Sequence, residues 1–229
     1  MARARKTIYF ELLVTVGFLV IPALMRAVQA FLNPGESLEP PGQATWHFAS
    51  MIVCELLLLG LLWHILRLNG ESLGGLTEPF AGKDVLRGFG LALWAYGSYY
   101  LAAIVLWKLT GGLSSGEQAR RSMDVFKTEF TVFYLLSMLV NPFCEEFFVR
   151  GFLQTRLRQA GHDGLTVILV SVALQSSYHL YQGAMVCLAL GFSFLVFALY
   201  YNANRRLWPV VVAHLIMDVL AMLSYMKRA

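Results

Sequence analysis

Apolar residues run in long blocks through this chain, and polar residues gather between the blocks. A bilayer hydrocarbon core of about 30 Å takes about 20 mostly apolar residues per helix. Seven stretches read as spans: 8–31, 46–67, 86–108, 130–155, 164–181, 184–202 and 207–226. The pattern predicts an all-α fold, a polytopic transmembrane helix bundle of about seven spans. Arg3, Arg5 and Lys6 precede the first block, as they would in a signal peptide, and Ala30 stands where a cleavage site would lie. The block from Ile8 to Phe31 is longer than the roughly 7–15 apolar residues of a signal core. The expectation is a retained first helix.

Composition supports the same class. The 229 residues are 58% hydrophobic and 14% charged. Soluble domains carry about 25% charged residues, so this chain has too few to cover a water-facing surface. Disorder, which requires low hydrophobicity and high charge, is excluded. The pI near 9.0 does not indicate a nucleic-acid partner, because the 18 Lys and Arg mark the ends of apolar blocks instead of forming one basic face. The expected surroundings are membrane lipid. Cys54, Cys144 and Cys187 sit inside apolar blocks at unpatterned spacing, and they read as small buried hydrophobes.

The loops order the spans. Residues 33–45 carry Glu36, Glu39 and three prolines but no Lys or Arg, whereas Arg67, Lys83 and Arg87 flank the next loop and Arg205 and Arg206 link the last two spans. Lys and Arg concentrate on the cytoplasmic side, which places the N-terminus, the second loop and Arg205–Arg206 there, with Arg156 and Arg158 in agreement. Lys108, Arg120, Arg121 and Lys127 run against this, as do Lys227 and Arg228. Residues 114–129 mix both signs with Met123, Val125 and Phe126 and read as a helix on the membrane surface. Gly112-Leu113-Ser114-Ser115-Gly116 matches G-x-S-x-G, but that elbow needs a strand before it and none is predicted.

Ionisable groups at bilayer depth are costly and mark function. In the fourth span Asn141-Pro142-Phe143-Cys144-Glu145-Glu146-Phe147-Phe148-Val149-Arg150 places two acids after a proline expected to kink or restart the helix. Helix neighbours point about 100° apart, so Glu145 and Glu146 face differently. Glu146 and Arg150, four apart, read as an ion pair. Glu145 is then left without a charged partner on its own helix and suits general-base work. His179 closes the fifth span. His214 and Asp218 share a face of the seventh, and Asp218 is expected to orient the imidazole. Counted at about 1.5 Å per residue, these groups reach similar depth. Glu11 is expected to snorkel toward Arg3 and Arg5, Glu55 and Arg26 to pair, and His47 and His64 to lie at the interface.

Glu145-Glu146-x-x-x-Arg150, then His179, then His214-x-x-x-Asp218, with Arg150-Gly151, Gln182-Gly183 and Trp208-Pro209 beside them, resembles the signature of the CPBP intramembrane proteases. These are also called the CAAX-protease and bacteriocin-processing, or Abi, family. The resemblance covers about residues 130–226. It implies a catalytic helical core at 130–229, preceded at 1–129 by transmembrane helices and a surface segment. It also implies an intramembrane endopeptidase acting on a membrane-associated substrate, such as a prenylated or leader peptide, in the plasma membrane of a prokaryote. Glu145 would activate water with help from His179, Arg150 would hold Glu146, and His214 with Asp218 would face the oxyanion. A metal version would use Glu145, His179 and His214 as ligands of a divalent ion such as zinc, with one position open for water. The other reading is a non-catalytic membrane protein of the same family, acting in regulation or bacteriocin immunity. Two positions depart from the family pattern. Gln175 stands where Phe is usual four before the histidine, and Asp218 stands where Asn is most frequent. An ionised Asp cannot donate a hydrogen bond to an oxyanion as Asn can.

Overall fold

A computed structural model describes residues 5–33, 44–111 and 132–226. The expected surface helix at 114–129 and the Gly112–Gly116 pattern lie outside the described residues. Helices α1 (Arg5–Leu32), α2 (Ala44–Leu68) and α3 (Lys83–Leu109) are followed by α4 (Val132–Glu146). A π-helical stretch, Phe147–Leu153, joins α4 to α5 (Gln154–Gln159). After them come α6 (Gly164–Ser177), α7 (Ala184–Asn204) and α8 (Trp208–Met226). Five of these are long and apolar enough to cross a membrane: α1, α2, α3, the continuous α4–α5 run and α7. The helices α6 and α8 are apolar but shorter. At 1.5 Å per residue the 14 residues of α6 reach only about 21 Å, less than the hydrocarbon thickness. The fifth predicted span therefore ends inside the bundle, and His179 lies in the turn beyond its last helical residue.

Long apolar side chains cover the outside, where a soluble protein would carry charge. Leu93 and Trp94 on α3 are each 75% exposed and belong against lipid. The inward face of α3 is built from small residues: Gly88, Ala92, Ala95 and Ala102 are buried. This stripe lets α7 and α8 come close, as small residues do between membrane helices. Two hydrogen bonds cross the gap. Ser193 on α7 donates to the carbonyl of Ala95 at 2.8 Å, and the Tyr96 hydroxyl donates to the carbonyl of Met217 on α8 at 2.9 Å. A β-carbon at Gly88 would meet Val212 at 2.5 Å.

One end of the bundle collects the charges that the loop pattern assigns to the cytoplasmic side. Asp84, fully buried at the start of α3, receives Arg206 at 2.6 Å and 2.9 Å and Arg87 at 3.3 Å. Leu207 N donates to Thr77 Oγ1, and the Tyr201 hydroxyl donates to the carbonyl of Leu76. Asp163 caps α6, accepting from the Thr166 hydroxyl at 2.6 Å and its N–H at 3.0 Å; these bonds hold its carboxyl below the usual carboxylate range.

Two expectations are overturned at this end. Glu11 does not lie at the interface; it is buried, and its partners include Arg156 at 2.9 Å and Asn69 at 3.1 Å. Arg156, read from sequence as a loop charge, is fully buried between Glu11 and Glu71. The guanidinium fork can hold two carboxylates at once, which makes the burial of all three groups tolerable.

Replacing Gly88 with Ala will force α3 away from α8 and lower stability by about 1–3 kcal/mol, the usual range for overpacking. A lowered melting temperature in detergent checks this, and adding Val212→Ala should restore much of the loss.

Candidate active site

Pro142 does not restart the fourth helix. The helix runs from Val132 to Glu146 without interruption, and the change of winding comes one turn later, in the π-helical stretch. A π segment inserts an extra residue per turn and is frequent at functional sites. Here every residue of it is buried, Arg150 included. Glu145 and Glu146 lie immediately before it.

The two acids diverge as the helix geometry requires, and one amide bridges them. The side-chain N–H groups of Gln175 donate to Glu145 Oε2 at 3.1 Å and to Glu146 Oε1 at 3.2 Å, while its oxygen accepts from Arg150. Glu146 is fully buried and meets Arg150 Nε at 3.5 Å, as the spacing predicts. Glu145 has a different environment. It accepts from Asn141 at 3.2 Å and from the Tyr178 hydroxyl at 3.0 Å as well as from Gln175, and all three donors are neutral. The family departure at Gln175 is thus the hub of the acidic pair, filling the place of an apolar ring with an amide. Asn141, Gln175 and Tyr178 were not singled out as site residues from sequence. The available signal was an amide recurring four residues from a candidate group, Asn141 before Glu145 and Gln175 before His179.

Both imidazoles have a fixed tautomer. His179 Nδ1 lies 2.9 Å from the carbonyl oxygen of Gln175. A carbonyl only accepts, so Nδ1 carries the hydrogen and the neutral ring keeps its Nε2 lone pair. His214 Nδ1 lies 2.9 Å from Glu146 Oε1. Asp218 is 3.8 Å from the other nitrogen, Nε2. The expected orienting role therefore belongs to Glu146, on another helix, because the Nδ1 side of the ring faces α4. Asp218 stands at the Nε2 side, beyond hydrogen-bond length. Phe194 packs between the rings, 5.0 Å from His179 and 6.4 Å from His214 between centroids. Glu55, expected to pair with Arg26, bonds Asn141 at 2.7 Å instead.

All six residues singled out at depth, Glu145, Glu146, Arg150, His179, His214 and Asp218, are in this neighbourhood. Among the described residues no three His, Cys, Asp or Glu side chains form a group that could hold a metal ion. The set Glu145, His179 and His214 does not converge as ligands, and both Glu145 oxygens are turned to neutral donors, Asn141, Gln175 and Tyr178. As arranged, these residues do not fit a zinc site.

Residues 127–220 match the model of a family described as type II CAAX prenyl endopeptidase Rce1-like. The chain is 22% identical over 214 residues to "Putative membrane peptidase YdiL" of Bacillus subtilis (strain 168), covering 92% of this chain and 84% of that relative. No solved structure matches the chain. A helical membrane bundle with these similarities is a membrane protease in general class. More specifically, residues 127–220 are similar to the CAAX prenyl endopeptidases, in agreement with the resemblance of the Glu145–Asp218 signature to the CPBP intramembrane proteases.

Arg150→Met will leave the buried Glu146 without its guanidinium partner, with only His214 and Gln175 against it, and cost about 3 kcal/mol of stability. Thermal unfolding in detergent should show this loss, and Glu146→Gln combined with Arg150→Met should recover part of it.

Proposed function

We propose that this protein is an endopeptidase that hydrolyses a peptide bond of a membrane-associated substrate, with a water activated by Glu145 and His179. The observation that carries the reading is the contrast between the adjacent acids. Glu146 is committed to Arg150 and His214, while Glu145 is held only by neutral donors and keeps the capacity to take a proton.

In this mechanism a water gives up its proton to Glu145, assisted by the Nε2 lone pair of His179. The oxygen attacks the carbonyl carbon and the carbonyl oxygen becomes an oxyanion. His214, its Nδ1 side bonded to Glu146, presents Nε2 toward that charge, and protonated it donates a hydrogen bond there. The proton held at Glu145 then passes to the departing amine nitrogen as the C–N bond breaks. Arg150 and Gln175 keep the two carboxylates apart and in register, and Asp218 is a neighbour of His214 that shapes the field at Nε2. The similarity to CAAX prenyl endopeptidases favours a prenylated peptide as substrate class, and a Bacillus relative favours a prokaryotic plasma membrane.

Glu145→Ala should lower cleavage of a prenylated fluorogenic CAAX-type peptide by at least about 10²-fold, the low end for a lost general base. The same variant in native membranes should retain uncut substrate that co-purifies with it. Wild-type turnover by Glu145→Ala would remove the proposed mechanism. A wild type unable to cut any captured protein would favour the regulatory or immunity reading.

A further inference from the structure

Glu55 lies on α2, outside the segment that matches the protease family. It is 5% exposed. Its Oε1 accepts from Asn141 Nδ2 at 2.7 Å, and its Oε2 is buried with no hydrogen-bond partner. A carboxylate buried against one neutral amide is costly to keep. Packing does not require an acid here, since α2 and α4 are already held together by other contacts, including the Cys144 thiol donating to the Glu55 carbonyl at 3.7 Å.

The same amide nitrogen of Asn141 donates to Glu145 Oε1 at 3.2 Å. An amide NH2 has two hydrogens, and here each goes to a different carboxylate. The arrangement fixes which end of the amide faces the site. If Asn141 were reversed, its oxygen would face two carboxylate oxygens. With Glu55 absent, only the weaker contact to Glu145 would oppose that reversal.

We propose that Glu55 is a positioning residue of the active site: its carboxylate fixes the Asn141 amide so that the second N–H of that amide stays on Glu145. The proposal rests on Glu145 being the group that activates water. It makes α2 part of the machinery of a site whose motifs all lie on later helices. Glu55 acts only through Asn141, so removing both residues does no more harm than removing Asn141 alone.

The test uses the full-length protein in detergent micelles, with Glu55→Ala, Glu55→Gln, Asn141→Ala and the Glu55→Ala/Asn141→Ala double variant, each monodisperse on sizing. On a prenylated fluorogenic peptide, Glu55→Ala and Asn141→Ala should each lower kcat about tenfold or more with KM within about threefold, as expected for losing a hydrogen bond to a charged group. Glu55→Gln, whose oxygen still accepts from Asn141, should stay within about threefold of wild type. The double variant should match Asn141→Ala. A second readout needs no turnover: labelling of Glu145 by the apolar carboxyl reagent dicyclohexylcarbodiimide, followed by peptide mass spectrometry. Labelling should rise several-fold, by the same factor in Glu55→Ala and Asn141→Ala, and stay at the wild-type rate in Glu55→Gln. If wild type cuts no peptide but the labelling pattern holds, the positioning role stands and the protease reading falls. Wild-type labelling of Glu145 in Glu55→Ala overturns the positioning role, as do additive losses in the double variant or a Glu55→Gln as impaired as Glu55→Ala.

Discussion

Glu146 is a fully buried carboxylate inside a bundle that spans a membrane, and the rest of the site is arranged around the cost of keeping it there. A carboxylate taken out of bulk water is costly unless protein groups offset its charge. The carboxylate meets Arg150 from its own chain run, Gln175 from α6 and His214 from α8. Three separate segments are thereby required to converge on one carboxyl group. Arg150 in turn is fixed by Gln175 and by the carbonyl of Phe194 on α7. The packing of α4, α6, α7 and α8 is therefore tied to the placement of Glu145, one residue away. The buried ion pair is weak evidence for stability in itself, because desolvation opposes the attraction. It fixes a unique arrangement of the four segments, and with it the direction in which Glu145 points.

Short and irregular elements serve the same end. The helix α6 ends at Ser177, and a turn through His179 and a 3-10 segment at Leu180–Gln182 follows, closed by Gly183 at φ +96°. In the turn, the backbone N–H of His179 is satisfied by Ser176, and its ring is aimed by the Gln175 carbonyl. Irregular backbone at membrane depth is tolerated because it is enclosed by protein, with α1 running beside it. The π-helical stretch that follows α4 is likewise irregular and wholly buried, and it carries Arg150 to within 3.5 Å of Glu146.

Sequence reading reached the helical bundle, because block length is a local signal, and it singled out six ionisable or imidazole residues that the structure places in one neighbourhood, because charge or imidazole in an apolar run is local too. It missed what depends on partners far away in the chain. Glu11 and Arg156 are 145 residues apart, and Glu55 and Asn141 are 86 apart. Nothing within either segment announces these partners, so the sequence alone suggests an interfacial Glu11 and a Glu55–Arg26 pair. The exchange of Asp218 for Glu146 as the group on His214 Nδ1 has the same cause. The i, i+4 spacing correctly puts Asp218 beside the ring, but which nitrogen carries the strong bond is decided by the helix opposite. Gln175 was read only as a lost phenylalanine, since an amide's value as a bridge appears only when two acids and a guanidinium surround it.

The placement of charge in the N-terminal helices is the last link. Matching to the protease family begins near residue 127, yet Glu11, Glu55 and Glu71 all lie earlier and turn toward later segments. At one end of the bundle Arg156 collects Glu11 and Glu71, and near mid-bundle Asn141 collects Glu55. These contacts hold α1 and α2 to the α4–α5 run at two depths, which fixes the tilt of that run more firmly than either contact alone. Because Glu145 lies between Asn141 and Arg156 on the same continuous run, its position is constrained from both ends by helices outside the family segment. The N-terminal helices thus act as a brace for the acidic pair, and the placement of Glu145 is tied to acids that no motif records.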